Sequence, residues 1–159
     1  MPSADVVIVT WNGRADTLRA LDAVAAQTIP PEVSRLHVTV VDNGSTDGTA
    51  EAVRERHPEV RLLRSATNRG FTGGVRIGAE ASESDLLILL NNDAVPQPGW
   101  LETLVRAIDG ASGDVVAVGG KIVDERGERA DFVRGAMTFD GHGFQPGFRK
   151  RLADVDEPA

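Results

Sequence analysis

Leu86-Leu87-Ile88-Leu89-Leu90-Asn91-Asn92-Asp93 sets five apolar residues directly against three polar ones. A short, continuous apolar run suits a strand buried on both faces, as parallel strands between helices are. Its abrupt polar end suits the point where a strand leaves its sheet. Asn91-Asn92-Asp93 then reads either as a turn and cap before the next helix or as a polar cluster at a ligand-binding edge. The flanking residues decide which fold surrounds the run.

Upstream, Asn68–Gly74 is glycine-rich and leads into a small-residue helix that reaches about Ala81. Downstream, Pro98 lies near a helix start, and Leu101, Leu104, Val105 and Ile108 recur at i, i+3, i+4 and i+7. Gly110 is the expected stop. The same alternation extends back to the N-terminus. Val6–Val9 reads as a strand buried on both faces, and Arg14–Gln27 as a helix with Leu18, Leu21 and Ala25 at helical spacing. Thr28-Ile29-Pro30-Pro31 ends that helix. Leu36–Val41 is the second strand, and Asp47–His57 the second helix, with Asp47 as N-cap and Pro58 past its end. Val60–Arg64 is a third strand, Val115–Val118 a fifth, and Lys121–Val123 extends or follows it.

Strands separated by helical crossovers predict an α/β domain with a mostly parallel sheet and helices on both faces. Ligands in such sheets bind at the carboxyl ends of the strands. That rule selects Thr10-Trp11-Asn12, Asp42-Asn43 and Asn91-Asn92-Asp93. The regular core is expected over residues 1–123. Residues 124–159 read as loop-rich, because Gly135, Gly141, Gly143 and Gly147 break the helical period. Phe132, Phe139, Phe144 and Phe148 are expected to pin those loops, and the acidic Asp154–Ala159 to fray.

The 159 residues are 41% apolar, enough for one domain with a single core. The absence of cysteine excludes disulfides, thiolate metal ligands and a cysteine nucleophile. A net charge of −7 argues against nucleic acid as the partner. A phosphate-bearing ligand would need backbone N–H groups, a few arginines or a divalent cation. Val6–Val9 is too short for a signal-peptide core, and Leu86–Leu90 too short to span a membrane. A soluble chain is the expectation.

Asp42 and Asn43, at the end of a strand, can hydrogen-bond the edge of a base; an Asx turn explains the same pair. Asp93 is a hard oxygen donor suited to Mg²⁺ or Mn²⁺, which share their shells with waters and substrate phosphates. Asn68-Arg69-Gly70-Phe71-Thr72-Gly73-Gly74 has the composition of a phosphate-cradling segment, although it is neither a Walker A loop nor a dinucleotide fingerprint. Arg69 and Arg76 are either phosphate contacts or solvated side chains. Trp11 either stacks on a base or packs in the core. His37 and His57 read as surface or strand-flank residues, and His142 has no metal-ligand spacing. Ser45 lacks the surroundings of a nucleophile elbow.

Four segments carry a family resemblance: Val7-Ile8-Val9-Thr10-Trp11-Asn12, Val41-Asp42-Asn43-Gly44-Ser45-Thr46-Asp47-Gly48-Thr49, Asn68–Gly74, and Leu89-Leu90-Asn91-Asn92-Asp93. In order and spacing they resemble the family 2 glycosyltransferases of GT-A fold, from about Asp5 to Ile122. The rhamnosyltransferase-like branch, with Asn-x-Gly-Phe-x-Gly-Gly and Asn-Asn-Asp segments, is the most similar.

The resemblance implies a Rossmann-like, three-layer GT-A sandwich, with residues 1–123 as its nucleotide-sugar-binding core and the chain truncated before the acceptor-binding half. It implies inverting transfer of a sugar from a nucleotide diphosphate-sugar to an acceptor hydroxyl, with a carboxylate removing the proton. The acceptor would be a saccharide or a lipid-linked saccharide of cell-surface polysaccharide or glycoconjugate synthesis. The implied location is the cytoplasm, peripheral to the inner face of the membrane. Exposed apolar surface would favour a homodimer.

By position, Thr10, Trp11 and Asn12 would line the nucleotide pocket, and Asp42 and Asn43 would contact the base. Asn68, Gly70, Gly73, Gly74 and Arg76 would lie by the nucleotide and diphosphate. Asp93 with Asn91 would hold Mg²⁺ or Mn²⁺, and Asn92 would lie near the diphosphate or donor sugar. Many relatives carry an acid where Asn43 stands and Asp-x-Asp where Asn91-Asn92-Asp93 stands, so less negative charge faces the metal here. The family's base lies in a Glu-Asp pair of the acceptor half. Glu125, Asp131, Asp140 and Asp154 lack that context, and no catalytic base is assigned. The alternative function is a non-catalytic nucleotide-sugar-binding module. A sugar-nucleotide pyrophosphorylase would need a basic glycine-rich loop after the first strand, which Thr10–Arg14 does not supply.

Overall fold

An unbroken parallel register joins β1 (Ser3–Thr10) to β2 (Arg35–Asp42), from Ser3 opposite Arg35 to Thr10 opposite Asp42. These are the central strands of a computed structural model that describes residues 1–124, 126–133, 136–137, 143–144 and 148–155. On the other side of β1 lies β4 (Leu86–Asn91), and β3 (Arg61–Arg64) flanks β2. The order is β3-β2-β1-β4, all parallel. Valine and isoleucine dominate β1, and their branched side chains fit a pleated surface covered on both faces.

The connecting helices are α1 (Arg14–Ala25), α2 (Thr49–Arg56) and α3 (Gly70–Ala81); α4 (Trp100–Asp109) follows β4. Side-chain alternation along β1 divides the core into two faces. Val6 and Ile8 pack with Ala20, Leu21 and Val24 of α1, Val53 of α2 and Leu90 of β4. Ala4 continues this face with Val33 and with Leu101 and Val105 of α4. On the other face, Val7, Val9 and Val41 meet Val75 and Ile77 of α3. The result is the expected three-layer sandwich. Ile8, Leu21 and Leu101 are almost wholly buried, each worth about 1.5–3 kcal/mol of stability.

Two glycines let α3 sit close to the sheet. A Cβ on Gly74 would lie 2.4 Å from Val9 Cγ1, and one on Gly78 would lie 2.4 Å from Val7 Cγ1. Gly70, Gly73 and Gly74 therefore belong to a helix, where the sequence suggested a loop.

Other expectations are corrected. The run Leu86–Leu90 is not buried on both faces, for Leu87 is 42% and Leu89 50% exposed. The strand lies at the sheet edge, and α3 packs on β1 and β2 instead. Asp47 is not the N-cap of α2; Gly48 holds that position, and Asp47 caps from one residue earlier by accepting the Thr49 N–H at 3.1 Å. His57 is buried at the end of α2, with Nε2 3.2 Å from Asp22 Oδ1 and Nδ1 3.4 Å from Glu59 Oε1.

The chain divides into Met1–Asp109 and Gly110–Ala159. The expected boundary at 123 followed a fifth strand at Val115–Val118, but that segment is irregular and Val116 is 93% exposed. The second unit pairs β5 (Ile122–Val123) with β6 (Ala130–Phe132), and β7 (Ala136–Met137) with β8 (Gly143–Phe144), both antiparallel. Phe148 is exposed. Glu125, Gly135, Phe139, Asp140, Gly141, His142, Gly147 and Asp156–Ala159 lie outside the described residues.

Candidate functional site

Thr10, Asp42 and Arg64 stand side by side at the carboxyl ends of β1, β2 and β3, and Asn91 stands opposite Val9 on β4. Parallel strands lie about 4.8 Å apart, so the ends of β2 and β4 are on the order of 10 Å apart. The chain passes from β3 to the far side of β1 before forming β4. The reversal puts a crevice beside β1, the usual ligand position in open α/β sheets.

A hydroxyl relay fixes this edge. Thr17 Oγ1 donates to Gly13 O at 2.7 Å, which uses its one proton. Thr10 Oγ1, 2.8 Å away, is therefore the donor to Thr17, and it accepts from Asn92 Nδ2 at 3.4 Å. The relay connects the end of β4 through β1 to the first turn of α1. Thr10 is buried and serves as a structural hub, and the Asn92 amide nitrogen turns inward toward it.

Asn12 has a left-handed backbone, φ 51°, which asparagine tolerates better than most residues. Its N–H donates to Ser45 Oγ at 2.9 Å, and its Oδ1 accepts the Thr46 N–H at 2.8 Å. Asp47 Oδ2 accepts the Arg14 N–H at 3.2 Å. The loops after β1 and β2 are thus tied together. Hydrogen bonds from the Thr49 hydroxyl, and then from the backbone N–H groups of Arg14 and Thr49, hold the Asp47 carboxyl below its ordinary range.

Asp42 is fully buried. Its Oδ1 accepts the Ser45 N–H at 2.9 Å. Arg64 Nε lies 3.2 Å from Oδ2, an ion-pair approach that makes no hydrogen bond, so Oδ2 has no donor among the described residues. Asn43 is also buried, and its amide is fully used. Nδ2 donates to Asn68 Oδ1 and Gly70 O, both at 3.0 Å, and Oδ1 accepts the Arg69 N–H at 3.0 Å. Asn43 therefore anchors the start of α3 to the end of β2.

Trp11 and Phe71 are exposed, as are Asn91 and Asp93. Asp93 makes no hydrogen bond or ion pair among the described residues. Arg76 is exposed and pairs with Glu80 within α3 at 3.8 Å. Gly73 and Gly74 lie inside α3, and Gly74 serves helix-to-sheet packing. A shallow cavity of about 440 Å³ lies between the loops after β2 and β3, lined by Gly44, Ser45, Thr46, Arg64, Ser65 and Ala66. Arg64 and Thr17 escaped the sequence reading. Their one signal was position, at a strand end and in the first turn of a helix.

Among the described residues, no three His, Cys, Asp or Glu side chains form a cluster able to hold a metal ion. No helix among them is long and apolar enough to cross a membrane.

The parallel sheet, with helices on both faces, gives this chain the GT-A type α/β fold. Its fold matches the mannosyltransferase PcManGT from Pyrobaculum calidifontis, solved in complex with GDP-Man and Mn²⁺, with a TM-score of 0.60 and 29% identity over 72% of this chain and 34% of that one. The chain belongs to glycosyl transferase family 2, whose profile matches residues 5–154. It is 34% identical to the glycosyltransferase AglE of Haloferax volcanii over 73% of this chain and 38% of that protein. It is 30% identical to an N-acetylglucosaminyl-diphospho-decaprenol L-rhamnosyltransferase of Mycobacterium tuberculosis, over 83% of this chain and 47% of that protein. The chain thus spans less than half the length of these relatives.

Proposed function

We propose that this chain binds a nucleotide diphosphate-sugar across the rim and serves its transfer to an acceptor hydroxyl with inversion. One observation carries the reading. Two carboxylates stand on the same edge, Asp42 at the end of β2 with an undonated oxygen and Asp93 two residues past β4 without a partner among the described residues. A nucleoside diphosphate suits a span of about 10 Å between the two strand ends. The base lies by Trp11 and the end of β2, and the diphosphate by the N-terminal turn of α3 and Asp93.

The donor set at the end of β4 fits a hard divalent cation. Asp93 and Asn91 offer exposed oxygen atoms, and the substrate phosphates complete the shell. Bound there, Mg²⁺ or Mn²⁺ would neutralise charge on the departing diphosphate. The chain's own part is positional. Asn43 holds the start of α3, and the Asn92–Thr10–Thr17 relay holds the turn that carries Asp93. A saccharide or lipid-linked acceptor fits the decaprenol-linked substrate in the mycobacterial relative's name. Synthesis of surface polysaccharide or glycoconjugate at the inner face of the membrane follows from that acceptor.

Calorimetric titration with UDP, GDP and dTDP, with and without Mn²⁺, tests the binding. An assay of transfer and hydrolysis of the corresponding sugars tests the chemistry. Binding that Mn²⁺ strengthens, followed by turnover, is expected. No binding of any nucleoside diphosphate overturns the proposal, and binding without turnover reduces the chain to a binding module.

A further inference from the structure

Arg64 is held from three directions. Its Nε faces Asp42 Oδ2 at 3.2 Å, its Nη2 donates to Ser45 O at 3.0 Å, and its Nη1 to Glu51 Oε1 at 3.2 Å. A guanidinium carries five N–H donors, so one on each terminal nitrogen stays free among the described residues. The side chain is 44% exposed and lines the cavity between the loops after β2 and β3. The arrangement is a fixed donor aimed into a slot, with its orientation set from behind.

We infer that Arg64 reads the base of the nucleotide and selects bases that carry a carbonyl oxygen at pyrimidine C4 or purine C6 over those that carry an amino group there. The inference rests on the donor-binding reading above. β3 is the strand farthest from β4 in the sheet, so Arg64 lies at the opposite end of the rim from Asp93. A diphosphate at Asp93 puts the base toward Arg64. Charge points the same way. Asp42 and Glu51 together offset the single positive charge of Arg64 and leave the cluster negative. A phosphate is repelled by such a cluster, and a neutral carbonyl oxygen is not. Uracil, thymine and guanine each offer a ring carbonyl to the two free N–H groups. Cytosine and adenine put an exocyclic amino group at the corresponding ring position, donor against donor.

UDP and CDP differ on one edge of the base, in the C4 substituent and in the proton on N3, so the change of their affinity ratio between wild type and Arg64 variants, not the ratio alone, reports the contact. Calorimetry on the full chain with Mn²⁺ and UDP, dTDP, GDP, CDP and ADP is the test. The wild type is expected to bind the first three about tenfold more tightly than CDP and ADP, the value of one hydrogen-bond mismatch in a partly exposed site. In Arg64→Gln, whose amide can donate or accept, the UDP-to-CDP ratio falls to within about twofold. Removing the charge beside buried Asp42 can unfold the domain, so Arg64→Lys is measured alongside. Lysine keeps the charge without the planar fork, and the ratio is expected to fall there too. A wild-type ratio near one overturns the inference, as does a ratio that survives in both variants. Equal weakening of UDP, CDP and inorganic pyrophosphate assigns Arg64 to phosphate and also overturns it. If the wild type binds none of the five, the donor-binding reading itself has failed.

Discussion

Asn43 holds Asn68 across 25 residues of chain, Nδ2 to Oδ1 at 3.0 Å, and the same nitrogen reaches Gly70 O. A third bond, from the Arg69 N–H to Asn43 Oδ1, completes a clasp between the end of β2 and the start of α3. Asn43→Ala leaves those partners unpaired. The variant is expected to lose about 2–3 kcal/mol in urea unfolding and to bind nucleoside diphosphate more weakly. Unchanged stability would show that the clasp is replaceable by water.

Asp93 has the opposite character, exposed and without a partner among the described residues. Asp93→Ala is expected to change stability by no more than about 0.5 kcal/mol. It should nevertheless remove the gain in nucleoside diphosphate affinity that Mn²⁺ confers. Calorimetry with and without Mn²⁺ checks this, and a persisting Mn²⁺ effect would take the metal away from Asp93.

Helix α3 approaches the sheet closely enough that a methyl group is excluded. In Gly78→Ala the new Cβ would lie 2.4 Å from Val7 Cγ1 and 3.3 Å from Val41 Cγ2. Alanine gains about 1 kcal/mol of helix propensity, while overpacking costs about 1–3 kcal/mol. Net destabilisation of up to about 2 kcal/mol is expected from the unfolding midpoint. Adding Val7→Ala opens the space, so the double variant should be less destabilised than the sum of the two singles.

Asp47 sets an acid-side limit. Hydrogen bonds from Thr49 and Arg14 depress its folded-state pKa below the ordinary carboxylate value. The ionised group therefore contributes stability above the unfolded-state pKa of about 4, and that contribution is lost as pH falls through the depressed value. Asp47→Asn is expected to lower Tm at pH 7, with the gap to wild type closing below about pH 4. A gap independent of pH would assign Asp47 a purely geometric role.

Much of the design was legible in one dimension. The alternation of apolar runs with periodic helices gave the element order, and polar residues after each run marked the carboxyl edge of the sheet. The failures share a cause. Leu87 and Leu89 read as buried because their neighbours in sequence are apolar, yet exposure depends on what lies across the sheet, and α3 covers β1 and β2. Gly73 and Gly74 read as a loop because glycine is common there; the close approach of Val9 explains Gly74 inside a helix. His57 read as surface until Asp22, 35 positions earlier, came to face it.

The sequence by itself determined a parallel α/β core with Thr10, Asp42 and Asn91 at strand ends, because periodicity and turn chemistry are local properties of the chain. Only the tertiary structure decided which of these residues are spent and which are free. Asn43, Thr10 and Asn12 satisfy hydrogen bonds with partners far along the chain, while Asp93 stays open and Arg64 is drawn to the site by a buried charge. A polar group's role depends on whether its partners are already within the fold, and that depends on distances between segments that the order of residues does not contain.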